Sequence, residues 1–94
     1  MAKSGYVRKR DQSILTIIGE NIRRHRKLKK ITAARLAMDC EMEAKAIHNY
    51  EYGKVDISAT SIATIARYLG LQPYELMVEY KEPGQNGASA PDKK

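Results

Sequence analysis

The stretch CEMEAKAIHNYEYGK, running from Cys40 to Lys54, gathers the side chains of this sequence best suited to recognition chemistry. Lys45, His48 and Asn49 are three and four residues apart, so on a helix they share one face, while Ile47 and Tyr50 share another. An ammonium, an imidazole and a carboxamide on one face present hydrogen-bond donors to a polar partner. Glu41 and Glu43 stand directly ahead of that face, an unexpected place for carboxylates if the partner is a polyanion. Nothing comparable is available for catalysis. The sequence holds no carboxylate pair, nucleophile–base constellation or glycine-rich phosphate loop, which points away from an enzyme. Cys40, His25 and His48 lack the spacing of metal ligands, so no metal or other cofactor is expected. Cys40 reads instead as a small half-buried hydrophobe.

Helices must position that face. The first is expected from about Ser13 to Lys29, where Ile14, Leu15, Ile18 and Ile22 recur at helical spacing. Arg23, Arg24, Lys27 and Lys29 surround the rest of its C-terminal half and complement the negative end of the helix dipole. Thr32 is the expected N-cap of a short second helix, AARLAMD, with Leu36 and Ala37 turned inward. The third runs from about Ala44 to Tyr52 and stops at Gly53. Ser58 caps a fourth, ATSIATIARYLG, whose stripe is Ile62, Ile65, Ala66 and Leu69. Gln72 and Pro73 open a fifth, YELMVEY, proline being at home in a first helical turn. No segment alternates as a strand does, so the expected class is all-α. Before these helices, residues 1–12 read as a flexible basic arm carrying Arg8, Lys9 and Arg10. After them, the Gly- and Pro-rich residues 82–94 read as a disordered tail, leaving 13–81 as the domain.

Ninety-four residues suit one small domain, and with neither Trp nor Phe its interior must be built from Ile, Leu, Ala, Met and Tyr. The net charge of +6 is concentrated. Residues 1–30 hold ten Lys or Arg against Asp11 and Glu20, a net +8, whereas residues 31–58 hold three against five acidic groups, a net −2. A basic third of this kind fits a polyanionic partner, and equally a solvated charged face. No apolar run approaches the roughly 20 residues that span a bilayer, and no secretion signal follows the N-terminal charges. A cytoplasmic protein without a membrane partner is expected.

From Ile18 to Met77 the sequence resembles the Cro/CI-type (Xre) helix-turn-helix family. The resemblance is carried by IGENIRRHR, by Leu36 and Ala37, by Ile47 followed by Glu51 and Gly53, and by IARYLGL from Ile65, in order and without a gap. It implies a compact five-helix, lambda-repressor-like domain whose third helix lies in the major groove of DNA. Carried over by position, Ala44, Lys45, His48 and Asn49 face the groove, while Met42, Ile47 and Tyr50 face the core. Lys45 suits guanine O6 and N7, Asn49 suits adenine N6 and N7, and Ala44 suits a thymine methyl. His48 suits a base, a phosphate or water. The resemblance also implies a structural salt bridge between Arg26 and Glu51.

This sequence departs from the family pattern at four places. Lys30 and Glu41 stand where the family usually has glycine, so those turns are expected to be strained or differently shaped. Ala33 replaces a glutamine that helps grip phosphate, and Glu43 replaces a Ser or Thr N-cap. Glu43 then has two readings: a local cap that repels phosphate, or an acceptor for a cytosine N4 amine. Phosphate contacts are expected from Thr32, Ala33, Lys54 and Ser58 and from the arm at Arg8, Lys9 and Arg10. The implied function is a sequence-specific DNA-binding regulator, a repressor acting as a homodimer on a pseudo-palindrome. Tyr74, Met77, Val78 and Tyr80 are candidates for the dimer interface, although Met77 is expected rather in the core. The acidic start of the third helix and Ala33 keep open an alternative, a protein-interaction module of antitoxin or adaptor type.

Overall fold

A computed structural model describes residues 11–81: four α-helices and one 3-10 turn, with no strand among the described residues. Helix α1 spans Gln12–Leu28, α2 Ala33–Cys40, α3 Ala44–Glu51 and α4 Ala59–Leu69, and the 3-10 turn covers Pro73–Leu76. Arg8, Lys9 and Arg10, and the segment 82–94, lie outside the described residues. No helix among the described residues is long and apolar enough to cross a membrane.

Side-chain oxygens set three helix starts. Asp11 Oδ1 accepts from the Ile14 N–H at 3.2 Å, Thr32 Oγ1 from the Arg35 N–H at 3.0 Å and Ser58 Oγ from the Ser61 N–H at 3.0 Å. Each satisfies one of the donors that a helix leaves without an internal partner. The helix ends share a second device. Behind each α-helix one residue is left-handed: Lys30 at φ 61°, Glu41 at 58°, Gly53 at 65° and Gly70 at 77°. After α2, for example, the Glu41 N–H donates to Met38 O at 3.1 Å and the Met42 N–H to Ala37 O at 2.8 Å, the paired bonds of a Schellman motif. The motif turns the following residue back onto the core at Ile31, Met42 and Leu71.

Glycine adopts this conformation without a steric cost at 53 and 70. At Lys30 and Glu41 the Cβ crowds a carbonyl oxygen, at roughly 1–2 kcal/mol each. Of the two outcomes expected from the sequence, the structure takes the first: the turns keep their shape and carry strain.

The core is aliphatic. Ile22, Leu36, Ile47, Ile65 and Leu76 are fully buried, one or more from every element. The expected fifth α-helix is not formed: only the 3-10 turn at Pro73–Leu76 is present. Asn21, buried in α1, donates through Nδ2 to Leu76 O at 2.8 Å and to Val78 O at 2.9 Å. Carbonyls that an α-helix would point at its own next turn are thus engaged by a neighbouring helix, and the chain leaves the helical path after Met77. Met77 is also not in the core, being 44% exposed, and Leu76 occupies the buried position beside it.

Replacing Glu41 or Lys30 by glycine relieves the left-handed strain and is expected to stabilise the domain by about 1 kcal/mol each, after the unfolded-state entropy of glycine is offset. A thermal melt reads this as a rise of several degrees in Tm, and an unchanged or lower Tm would show that these turns hold no strain.

Candidate functional site

The polar face singled out in the sequence is on α3. Ala44, Lys45 and His48 are exposed and Asn49 is half-buried, while Ile47 and Glu51 are buried on the opposite side. Three residues, Glu41 to Glu43, join α2 to α3: Glu41 makes the left-handed turn, Met42 drops onto the core, and Glu43 takes the extended conformation of an N-cap at φ −78°, ψ 148°. The cap reading of Glu43 is met in position but not in bonding. Its carboxylate is exposed and makes no cap hydrogen bond, so of the four α-helices only α3 starts without a side-chain cap.

The other end of α3 is held firmly by α1. Arg26 Nε and Nη2 donate to the two carboxylate oxygens of Glu51 at 2.6 and 3.0 Å, and Nη1 donates to Ile31 O at 3.0 Å. The pair is withdrawn from water, with side chains 14% and 3% exposed. The hydrogen bond to Glu51 raises the Arg26 pKa above its ordinary range and so keeps the guanidinium charged. Arg23 adds a donor to Glu51 O at 3.1 Å and lies 4.8 Å over the Tyr52 ring. Gly19 lets the two backbones meet: a Cβ there would stand 2.5 Å from both Tyr50 O and Glu51 O. Gln12 Nε2 donates to Gly53 O at 3.0 Å just beyond. Gly19, Arg23 and Arg26, four and three residues apart, therefore form one line along α1 that fixes the end of α3.

Sequence reasoning found Arg26 and Glu51 but not Gly19, Arg23 or Gln12. The signal for Gly19 was present, since a glycine three residues before Ile22 lies on the buried side of an amphipathic helix. Nothing in the sequence separates Arg23 from the neighbouring cations, because its role depends on which carbonyl α3 presents to it.

The remaining candidate residues surround α3 at several points. The Thr32 and Ser58 hydroxyls are engaged as caps, which leaves the first backbone N–H groups of α2 and α4 as the donors at those two helix starts. Ala33 rests partly against the core and offers no polar side chain. Lys54 Nζ lies 3.5 Å from His48 Nε2, and the His48 ring lies 4.7 Å from that of Tyr52, so two of the candidates meet at the C-terminal end of the exposed face. On α2, Arg35 is paired within its own helix to Asp39 at 3.2 Å.

The family model of the Cro/C1-type HTH DNA-binding domain matches residues 21–82. Among solved structures, the chain is similar to the restriction-modification controller protein C.AhdI from Aeromonas hydrophila, at 25% identity over 68% of this chain and 97% of that one, with a TM-score of 0.65. Two further likenesses support the fold. The hypothetical transcription factor NHTF from Neisseria is 21% identical over 86% of this chain and 91% of that one, at a TM-score of 0.69. The clp gene regulator ClgR from Corynebacterium glutamicum is 21% identical over 67% of each chain, at 0.65. No curated protein sequence matches.

Truncating either partner of the buried pair strands a charge, so Arg26→Ala and Glu51→Ala should each destabilise the domain by about 3–5 kcal/mol in urea unfolding. Arg26→Lys should recover only part of that loss, since an ammonium cannot reproduce the two-point contact. Full recovery by lysine would show that charge alone matters at this position.

Proposed function

The chain belongs to the Cro/C1-type helix-turn-helix DNA-binding domain family, and from that membership we propose that it is a sequence-specific transcription regulator. In this reading it represses by occupying a pseudo-palindromic operator as a homodimer, with half-sites about one helical turn apart. The observation that carries the reading is α3 itself: a short helix clamped at Glu51, with its exposed face and its uncapped start directed outward. It is a binding function, without a reaction or a cofactor, and it places the protein in the cytoplasm with its DNA.

Within that reading, Lys45 and Asn49 make the discriminating base contacts and Ala44 packs on a thymine methyl. His48 contributes a donor to a base or to the adjoining phosphate. Glu43, exposed and free of any cap bond, accepts from a cytosine N4 amine. Phosphates are held by backbone donors at Thr32, Ala33 and Ser58, by Lys54, and by Arg8, Lys9 and Arg10 of the arm. The basic concentration in residues 1–30 supports this assignment, because cations away from α3 must offset Glu41 and Glu43 near it.

Selection from a randomised duplex pool, read at two salt concentrations, tests the whole reading. An enriched two-fold motif is expected, with log affinity falling by about 0.9 per neutralised phosphate for each unit of log salt. Absence of any motif at low salt would instead favour the protein-interaction module, which the exposed Glu43 and the apolar Ala33 also suit. On the best site, Lys45→Ala and Asn49→Ala should each cost about 1–3 kcal/mol and relax the preference at one position. Uniform loss over all sequences would reduce both residues to backbone contacts. Glu43→Ser should remove one cytosine preference, whereas uniformly tighter binding would make Glu43 a phosphate-repelling group.

A further inference from the structure

An exposed aromatic at the C-terminal end of α3 is held by two neighbours. The Tyr52 ring, 54% exposed, lies 4.7 Å from that of His48 and 4.8 Å from the Arg23 guanidinium of α1. Arg23 is itself anchored on Glu51 O, so the aromatic is mounted on the joint between α1 and α3. The chain then doubles back through left-handed Gly53, and the Lys54 N–H donates to Asn49 O at 2.9 Å. That return places Lys54 Nζ 3.5 Å from His48 Nε2. Two side-chain nitrogens, one from α3 and one from the loop after it, thus converge on the exposed face that carries Lys45 and Asn49.

An ammonium has donors only, so this contact is a hydrogen bond while Nε2 keeps its lone pair. Once the imidazole is protonated, the same contact sets two cations side by side. Around the pair stand Lys45, one turn earlier on the same face, and Arg23, across Tyr52. Glu51 is occupied by Arg26, Glu20 shares a cleft with Arg23 and Tyr52, and Asp56 is exposed farther along the loop. What suits two adjacent donors is an anion between them, and a phosphate offers an oxygen to each. We propose that His48 and Lys54 together hold one backbone phosphate of DNA, bound with uptake of one proton by His48, and that Tyr52 and Arg23 are the positioning residues of this subsite. The proton comes from solvent: Nε2 stops accepting from Lys54 and donates to one phosphate oxygen, while Nζ turns to another. Because the bound form carries the extra proton, affinity rises as pH falls. The proposal rests on the DNA-binding reading above and adds to it a proton and two residues that act through His48.

Fluorescence anisotropy of the full chain with a non-specific duplex, at fixed low salt and at about pH 6 and pH 8, tests it; imidazole is the side chain whose charge ordinarily changes across that range. Affinity should be at least roughly threefold higher at the lower pH for each bound copy. His48→Gln should abolish that rise, whereas His25→Gln, which alters the other histidine, should retain it. Tyr52→Ala should reduce the rise and Tyr52→Phe should keep it, a pattern that a purely structural role does not produce. Thermal melts of every variant at both pH values separate lost binding from lost folding. Equal affinity at the two pH values, or a rise that survives His48→Gln, overturns the proposal. A full rise in Tyr52→Ala overturns the positioning role. Failure here is separate from failure of the regulator reading. Duplex binding that tightens at low pH without any selected motif overturns the regulator alone, and a selected motif bound equally at both pH values overturns the subsite alone. No binding to duplex at either pH overturns both.

Discussion

The end of α3 is where α1 and the helix-turn-helix are joined, and the joint is a buried carboxylate. Glu51 has few ways to be satisfied at 3% exposure, and Arg26 satisfies it with two nearly parallel donors. That geometry is possible only because the α1 and α3 backbones come within reach of one another, which Gly19 permits and Arg23 reinforces at Glu51 O. Close approach, the main-chain bond and the ion pair are therefore mutually dependent. A buried pair of this kind contributes little net stability compared with an apolar substitute, but it restricts α3 to one orientation. Orientation is the quantity that α3 needs in its proposed role as the recognition helix.

The core follows from the same economy of side chains. With no Phe or Trp, the five elements meet through Ile, Leu and Ala, and helices as short as eight residues are stable only by packing. The Schellman ends make this packing continuous. By returning Ile31, Met42 and Leu71 to the interior, they extend the core beyond the helices into the connections, so that these loops of three or four residues behave as parts of the packed unit.

Much of this was legible from the sequence because it is local. Periodicity located Leu15, Ile18, Ile22, Ile62, Ile65 and Leu69, and Thr32, Ser58, Gly53 and Gly70 marked helix boundaries through their own chemistry. What was not legible is non-local. The failure of YELMVEY to continue as a helix depends on Asn21, more than fifty positions earlier, drawing off two carbonyls. Met77 and Leu76 cannot be ranked for burial until that turn has its true pitch. Glu43 sits where an N-cap must sit, yet whether its longer side chain folds back onto the helix is a matter of conformation that residue type does not determine. The polar face of α3 was readable as a face, and its roles toward a partner follow from geometry that only a complex contains.

The asymmetry of α3 has a mechanical consequence. Side-chain bonds from α1 fix one end, while the other is joined to α2 by the turn in which the Met42 N–H donates to Ala37 O and by the apolar contacts of Met42 and Ile47. Eight residues make a lever of about 12 Å, so a tilt of roughly 5° about the fixed end displaces the first turn by about 1 Å. Ala44 and Lys45 thus sit at the far end of a lever whose root is Glu51. Such a mounting transmits any disturbance at the root to the residues farthest from it.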